Sequence, residues 1–243
     1  MKPEIRYFPD LEALSLEAAG LISQTADKGV AEKGLFSLVL SGGSTPRLLY
    51  ELLSQPPFVQ EMPWPHIHFF WGDERCVPPD HPESNYGLAS RSLLSRIPVP
   101  EKNIHRIPVE KGPGPWAARE YEKEILEFFN SRWSDTMGAP SFDLVLLGLG
   151  KDGHTASLFP GDPALKEEEH LTAYVPKPGP APEFPRITLT LPLINQAEEV
   201  LFLVSGAEKK EVLRVILNEP PGGRDRYPAA RVNPKRKVLW YVC

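Results

Sequence analysis

His154 closes the run Gly148-Leu149-Gly150-Lys151-Asp152-Gly153-His154, which follows directly on an apolar segment at 142–147. An imidazole changes charge near neutral pH, so a histidine in a cleft suits the work of a general base. Asp152, two residues earlier, is placed to hold that ring in one orientation. The same glycines also spell G-x-G-x-x-G, the letters of a dinucleotide-binding turn. That fingerprint needs the glycines to open a crossover helix, with a further strand and an acidic residue about 20 positions on. Here Pro160, Gly161 and Pro163 interrupt the chain, and the acidic run at 167–169 follows no strand pattern. The nicotinamide oxidoreductase reading therefore fails on context. The segment reads as a loop that aims a histidine.

Three other segments carry residues that suit an anionic ligand. In Ser41-Gly42-Gly43-Ser44-Thr45-Pro46 the paired glycines let backbone approach a ligand, and a helix start offers unpaired N–H groups that favour phosphate. Gly42, Gly43, Ser44 and Thr45 are thus candidate substrate-binding residues. Thr45 before Pro46 is expected to start the helix, with its hydroxyl accepting one of the free N–H groups. In Asp73-Glu74-Arg75, Arg75 has the fork geometry that grips phosphate, and Asp73 is a candidate partner for sugar hydroxyls. In Val204-Ser205-Gly206-Ala207-Glu208-Lys209-Lys210, a lysine again stands beside a helix start. Arg186, at the head of a strand-like run, is a further candidate counter-charge. Asp73, Cys76 and His81 lack recognised metal spacing, so no metal is expected, and no cofactor. His66 and His68 would share a face at the entrance of a strand, away from its ligand-binding end, and are expected to be structural.

The elements that position these groups follow from periodicity. Apolar residues at helical spacing over 11–26 predict a helix capped by Asp10. Buried strands are predicted at 35–40, 67–72, 142–148, 200–206 and 237–242, and a strand-like start at 186–194. Helices are predicted through residue 52, at about 85–95, at 115–132 and at 207–217. Short β-rich runs alternating with helices predict an α/β fold: a single Rossmann-like three-layer domain over 1–243, its mainly parallel sheet covered by helices on both faces. In such folds ligands collect at the carboxyl ends of the strands, where the four motifs fall.

Composition narrows the class. A chain of 243 residues buries a sizeable core, and 41% hydrophobic with 24% charged residues is ordinary for a globular protein. No apolar run is long enough to span a membrane, and the N-terminus lacks a signal-peptide core. The two cysteines fit a reducing cytoplasm. A net charge of −5 argues against nucleic acid as a partner and requires local cations to hold an anion. Nothing in the sequence defines an oligomer, and a monomer is favoured.

Taken in order, LSGGSTPRLLYELL, WGDERCVPPDHPESNYG, LLGLGKDGHTASLFPG and SGAEKKEVL resemble the 6-phosphogluconolactonases, from about residue 35 to the end of the chain. DGHTASLFP is the most specific of these runs, whereas SGGSTP is shared with the related glucosamine-6-phosphate deaminases. The resemblance implies hydrolysis of 6-phosphoglucono-δ-lactone to 6-phosphogluconate in the oxidative pentose phosphate pathway. It also implies that His154 is the base and that Arg75 and Lys209 bind phosphate. The deaminase-isomerase alternative resembles a family with glutamate five residues after the motif histidine and tyrosine after Asp-Glu, whereas Phe159 and Arg75 stand here. A non-catalytic sugar-phosphate-binding protein, the remaining alternative, would need Arg75 and Lys209 but not His154.

Overall fold

The computed structural model describes residues 3–131, 139–176, 184–218, 223 and 226–243. Strand β1 (Glu4–Tyr7) leads to helix α1 (Leu11–Lys33), whose first turn is capped as expected: Asp10 accepts from the Ala13 N–H. Gly34 ends the helix in the left-handed conformation that glycine adopts at little cost (φ +77°). Strand β2 (Phe36–Leu40), helix α2 (Ser44–Leu53), the short helix α3 (Phe58–Glu61) and strands β3 (Ile67–Trp71) and β4 (Asp73–Arg75) follow. The chain continues through helices α4 (Asn85–Ser92) and α5 (Gly114–Asn130), then strands β5 (Leu144–Gly148), β6 (Thr172–Val175) and β7 (Arg186–Leu189). Helix α6 (Leu191–Asn195), strand β8 (Glu199–Val204), helix α7 (Ala207–Asn218) and strand β9 (Lys237–Val242) complete it.

Six strands form one sheet in the order β1-β9-β8-β5-β2-β3, with every pairing parallel. β2 and β3 are buried along their whole length, as a sheet covered on both faces requires. Large side chains fill the layers: the rings of Phe202 and Trp240, on neighbouring strands, stack at 3.8 Å. Each such buried side chain contributes about 1.5–3 kcal/mol of hydrophobic stabilisation. From β2 the chain crosses to β3 on one side, and later to β5 on the other. The carboxyl ends of β2 and β5 therefore flank a topological switch point, where a crevice opens in this type of sheet.

The α/β class and the parallel sheet agree with the sequence, and three details differ from it. A second sheet, antiparallel and in the order β4-β7-β6, stands beside the first. Its strands are three or four residues long and polar in part, too short for periodicity to detect. The run 186–194 starts as the expected strand, β7, and then turns into α6, an element not anticipated, because Pro192 lacks the N–H a strand ladder needs and suits a first helical turn. His66 lies in a short helical turn before β3, so it does not share a strand face with His68. His68 is buried at the far end of the sheet from the crevice, 3.0 Å from His105, which in turn meets Glu124 at 2.6 Å. Residue 132, the end of one predicted helix, lies outside the described residues.

Candidate active site

At the switch point lies a cleft of about 280 Å³. Gly42 and Gly43 after β2, the loop after β5, β4, β7 and Lys209 on α7 all contribute to its walls. The four motif-bearing segments thus converge, joined by Arg186 of β7.

The histidine loop is built from glycine geometry. β5 ends at Gly148, whose carbonyl accepts from Thr155 Oγ1 at 2.9 Å. The Gly150 N–H donates to the His154 carbonyl at 2.8 Å, and the Gly153 N–H to the Gly150 carbonyl at 3.0 Å. Gly153 has φ +81°, and a Cβ there would come within 2.4 Å of the Tyr227 ring, so the position excludes larger residues. The imidazole is held on several sides. Its Nδ1 lies 2.5 Å from Asp152 Oδ1, the ring packs at 4.5 Å on Phe159, and Gly150 lies close beneath it. With Nδ1 engaged, Nε2 remains for chemistry, and the side chain keeps about 30% of its exposure. Burial raises the pKa of Asp152, but hydrogen bonds and the charge of His154 outweigh it and leave the carboxyl below its ordinary value.

The small sheet carries the arginines. In the β4–β7 register Arg75 lies opposite Arg186. Arg75 Nη1 donates to the Glu83 carbonyl at 2.6 Å and meets the Glu83 carboxylate at 3.2 Å. Arg186 Nη1 lies 3.3 Å from Ser157 Oγ and 3.5 Å from Asp73 Oδ2. Burial lowers the Arg186 pKa, Asp73 opposes this and Arg75 adds to it. The Nε atoms of both arginines are buried and have no hydrogen-bond partner among the described residues. Two adjacent guanidinium groups with unused donors are poised for an anion. Lys209 also faces the cleft, its pKa lowered by burial and by nearby Lys151, which is paired with Glu208.

Asp73 is more deeply embedded than a sugar-binding carboxylate needs to be. It accepts from Ser157 Oγ at 2.6 Å and from Asn85 Nδ2 at 3.2 Å, as well as pairing with Arg186. It lines the cleft and at the same time ties β4, β7 and the histidine loop together. Neighbouring Glu74 is buried and serves the framework: its carboxylate accepts from the N–H groups of Arg75, Asn85 and Tyr86 and from Ser84 Oγ at the start of α4.

The glycine loop corrects one expectation. α2 begins at Ser44 with Gly43 as its cap, at φ +94° and without a side-chain hydrogen bond, so the Thr45 hydroxyl does not cap it. The left-handed glycine allows the helix to start two residues earlier, which leaves Thr45 buried inside the first turn. Gly42 and Gly43 line the cleft; Ser44 and Thr45 do not. Gly42 has a specific reason to be glycine, since a Cβ would overlap the Asn85 amide at 1.8 Å. Asn85 and Lys151 line the cleft too, and motif reasoning missed both. Asn85 comes together with Gly42 only through tertiary packing, whereas Lys151 stood in plain view inside the glycine loop. Among the described residues, no group of three or more His, Cys, Asp or Glu side chains is arranged to hold a metal ion. No helix among them is long and apolar enough to cross a membrane.

A parallel sheet with an oriented imidazole and a basic pocket at its switch point suits an α/β protein that binds an anionic ligand. Residues 9–240 match the family described as glucosamine-6-phosphate isomerases/6-phosphogluconolactonase, and the chain belongs to that family. A relative from Nostoc sp. named 6-phosphogluconolactonase is 40% identical over 242 residues, covering 100% of this chain and 96% of its own. The crystal structure of 6-phosphogluconolactonase from Thermotoga maritima matches with a TM-score of 0.83 and 35% identity, covering 99% of both chains. A monomeric glucosamine-6-phosphate deaminase matches with a TM-score of 0.77 at 20% identity, a likeness of fold alone.

Proposed function

We propose that the protein is a 6-phosphogluconolactonase, which hydrolyses 6-phospho-D-glucono-1,5-lactone to 6-phosphogluconate. The observation that carries this reading is one cleft holding His154, oriented through Nδ1 by Asp152, together with Arg75, Arg186 and Lys209. The cations hold the phosphate, and the lactone carbonyl is presented to the imidazole. His154 Nε2 removes a proton from water as the water oxygen attacks C1. The tetrahedral intermediate collapses, the C1–ring-oxygen bond breaks, and the proton returns to the departing oxygen. General-base assistance of this kind supplies ~10²–10⁴-fold. Backbone N–H groups of the Gly42–Gly43 segment, which lines the cleft, would steady the oxyanion, a contribution of comparable size. Asp152 fixes the imidazole, and Asp73 holds Arg186 and Asn85 in position.

Phe159 supports hydrolysis over deamination, because it puts an apolar ring against His154 where the alternative chemistry would use a carboxylate. On the same reading the protein works in the cytoplasm. Base and cations all come from one chain, so a monomer suffices as the active unit. The test is acid release from freshly prepared 6-phosphogluconolactone with spontaneous opening subtracted. Turnover well above the spontaneous rate is expected. Ammonia release from glucosamine 6-phosphate without lactone hydrolysis would overturn the assignment.

A further inference from the structure

Phe159 touches both halves of the site. Its ring centroid lies 4.5 Å from that of His154, with the planes inclined by 40°, and the Arg186 guanidinium carbon lies 5.8 Å from the same ring. Phe159 is only 5% exposed, and its loop is tightly constrained. Leu158 N–H donates to the Thr155 carbonyl at 2.9 Å, Ala156 takes a positive φ of 48°, and the Ser157 hydroxyl is fixed on Asp73. The ring therefore has little freedom to withdraw from either neighbour. An aromatic face attracts a cation, so Arg186 gains from this contact and the imidazole loses rotational freedom through it.

We propose that Phe159 is a positioning residue for hydrolysis: one ring sets the angle of the His154 imidazole and steadies Arg186 in the anion pocket. This rests on the lactonase reading and goes beyond it, by assigning the alignment of base and phosphate grip to an apolar side chain that touches no reacting atom. The charged groups around the imidazole are Lys151 and Asp152 on its own loop, Asp73 and Arg75 on β4, Arg186 on β7 and Lys209 on α7. None of them replaces the ring as a contact shared by His154 and Arg186.

The experiment compares wild type with Phe159→Leu, Phe159→Met and Phe159→Tyr. The first two keep an apolar side chain and remove the ring; the third keeps the ring. Circular dichroism and thermal melting select the folded variants. For Leu and Met, kcat on the lactone is expected to fall about tenfold, as a slightly misaimed base implies. The dissociation constant for inorganic phosphate should rise severalfold in the same variants, and Tyr should restore both quantities. A folded Leu or Met variant with unchanged kcat and phosphate affinity would overturn the proposal, as would a Tyr variant as impaired as Leu. Wild-type protein lacking lactonase activity would count against the proposed function instead. Phosphate affinity would then still report whether the ring steadies Arg186.

Discussion

His154 lies against the α-carbon of Gly150, so closely that a Cβ built on that glycine would sit 2.1 Å from Nδ1. The glycine that imitates a dinucleotide fingerprint is thus required for another reason: only a hydrogen leaves room for the imidazole.

Gly150→Ala should therefore push the ring off Asp152. A misplacement of this order costs about 10²-fold in kcat/KM. Binding of 6-phosphogluconate, measured by calorimetry, should change little, because the arginines stand on other strands. Equal losses in turnover and in product affinity would show that the whole cleft had collapsed.

His154→Ala removes the proposed base outright. Hydrolysis is expected to fall at least ~100-fold, with phosphate-ligand affinity retained. A variant of undiminished turnover would place the proton transfer elsewhere and favour a binding protein with incidental activity.

Asp152→Asn keeps the shape and removes the charge that orders Nδ1. A fall of ~10²-fold in kcat is expected, with KM near that of wild type. Because the Asp152 pKa is depressed, its carboxylate keeps its charge into more acidic solution than an ordinary aspartate. Asp152 is therefore not expected to produce the acid limb of the wild-type pH–rate profile. If that limb were to vanish in the Asn variant, Asp152 would be the titrating group.

Lys209 supplies the alkaline prediction. On the proposed reading its cationic form binds the anion, and burial with the repulsion of Lys151 lowers its pKa. As pH rises the charge is lost earlier than at an ordinary lysine, so affinity for 6-phosphogluconate should weaken before pH reaches the usual value of about 10.4. Lys209→Arg should bind the product with no such decline over the same range. A decline that persists in the arginine variant would assign the effect to a different group.

Glu74→Gln tests the framework. The carboxylate oxygens share four donors, three of them backbone N–H groups: Arg75 in β4 and Asn85 and Tyr86 at the start of α4. An amide can present one oxygen only, leaving a buried N–H unpaired at a cost of about 1–3 kcal/mol. Chemical denaturation should show that loss. Kinetics should suffer as well, since Asn85 sits on the same turn. Unchanged stability would mean that the turn rearranges freely.

The sequence revealed the parallel sheet and the four motif-bearing strand ends because each long buried strand is a largely apolar run, and each motif adjoins one of them. The second sheet was hidden. β4 spells Asp-Glu-Arg, which carries no period-two signal, yet its pairing with β7 is what brings Arg75 opposite Arg186. Arg186 was readable as a candidate cation, but its union with Asp73 and Ser157 depends on a contact spanning 84 positions. Asn85 was missed for the same reason, since nothing near it in the chain indicates that its amide will lie on Gly42. Thr45 misled because a threonine before a proline is a common cap, and the preceding glycine overrode that preference.

The His154 loop hangs from the large sheet and the arginines from the small one, and the chain passes between the two sheets at Gly72. That residue's N–H is tied to Leu40 of the large sheet, and its carbonyl accepts from Leu189 of the small one. The molecule is in effect a calliper with its pivot pinned on both sides. On the proposed reading, a phosphorylated lactone with a carbon skeleton shortened by one atom would engage one jaw and fall short of the other.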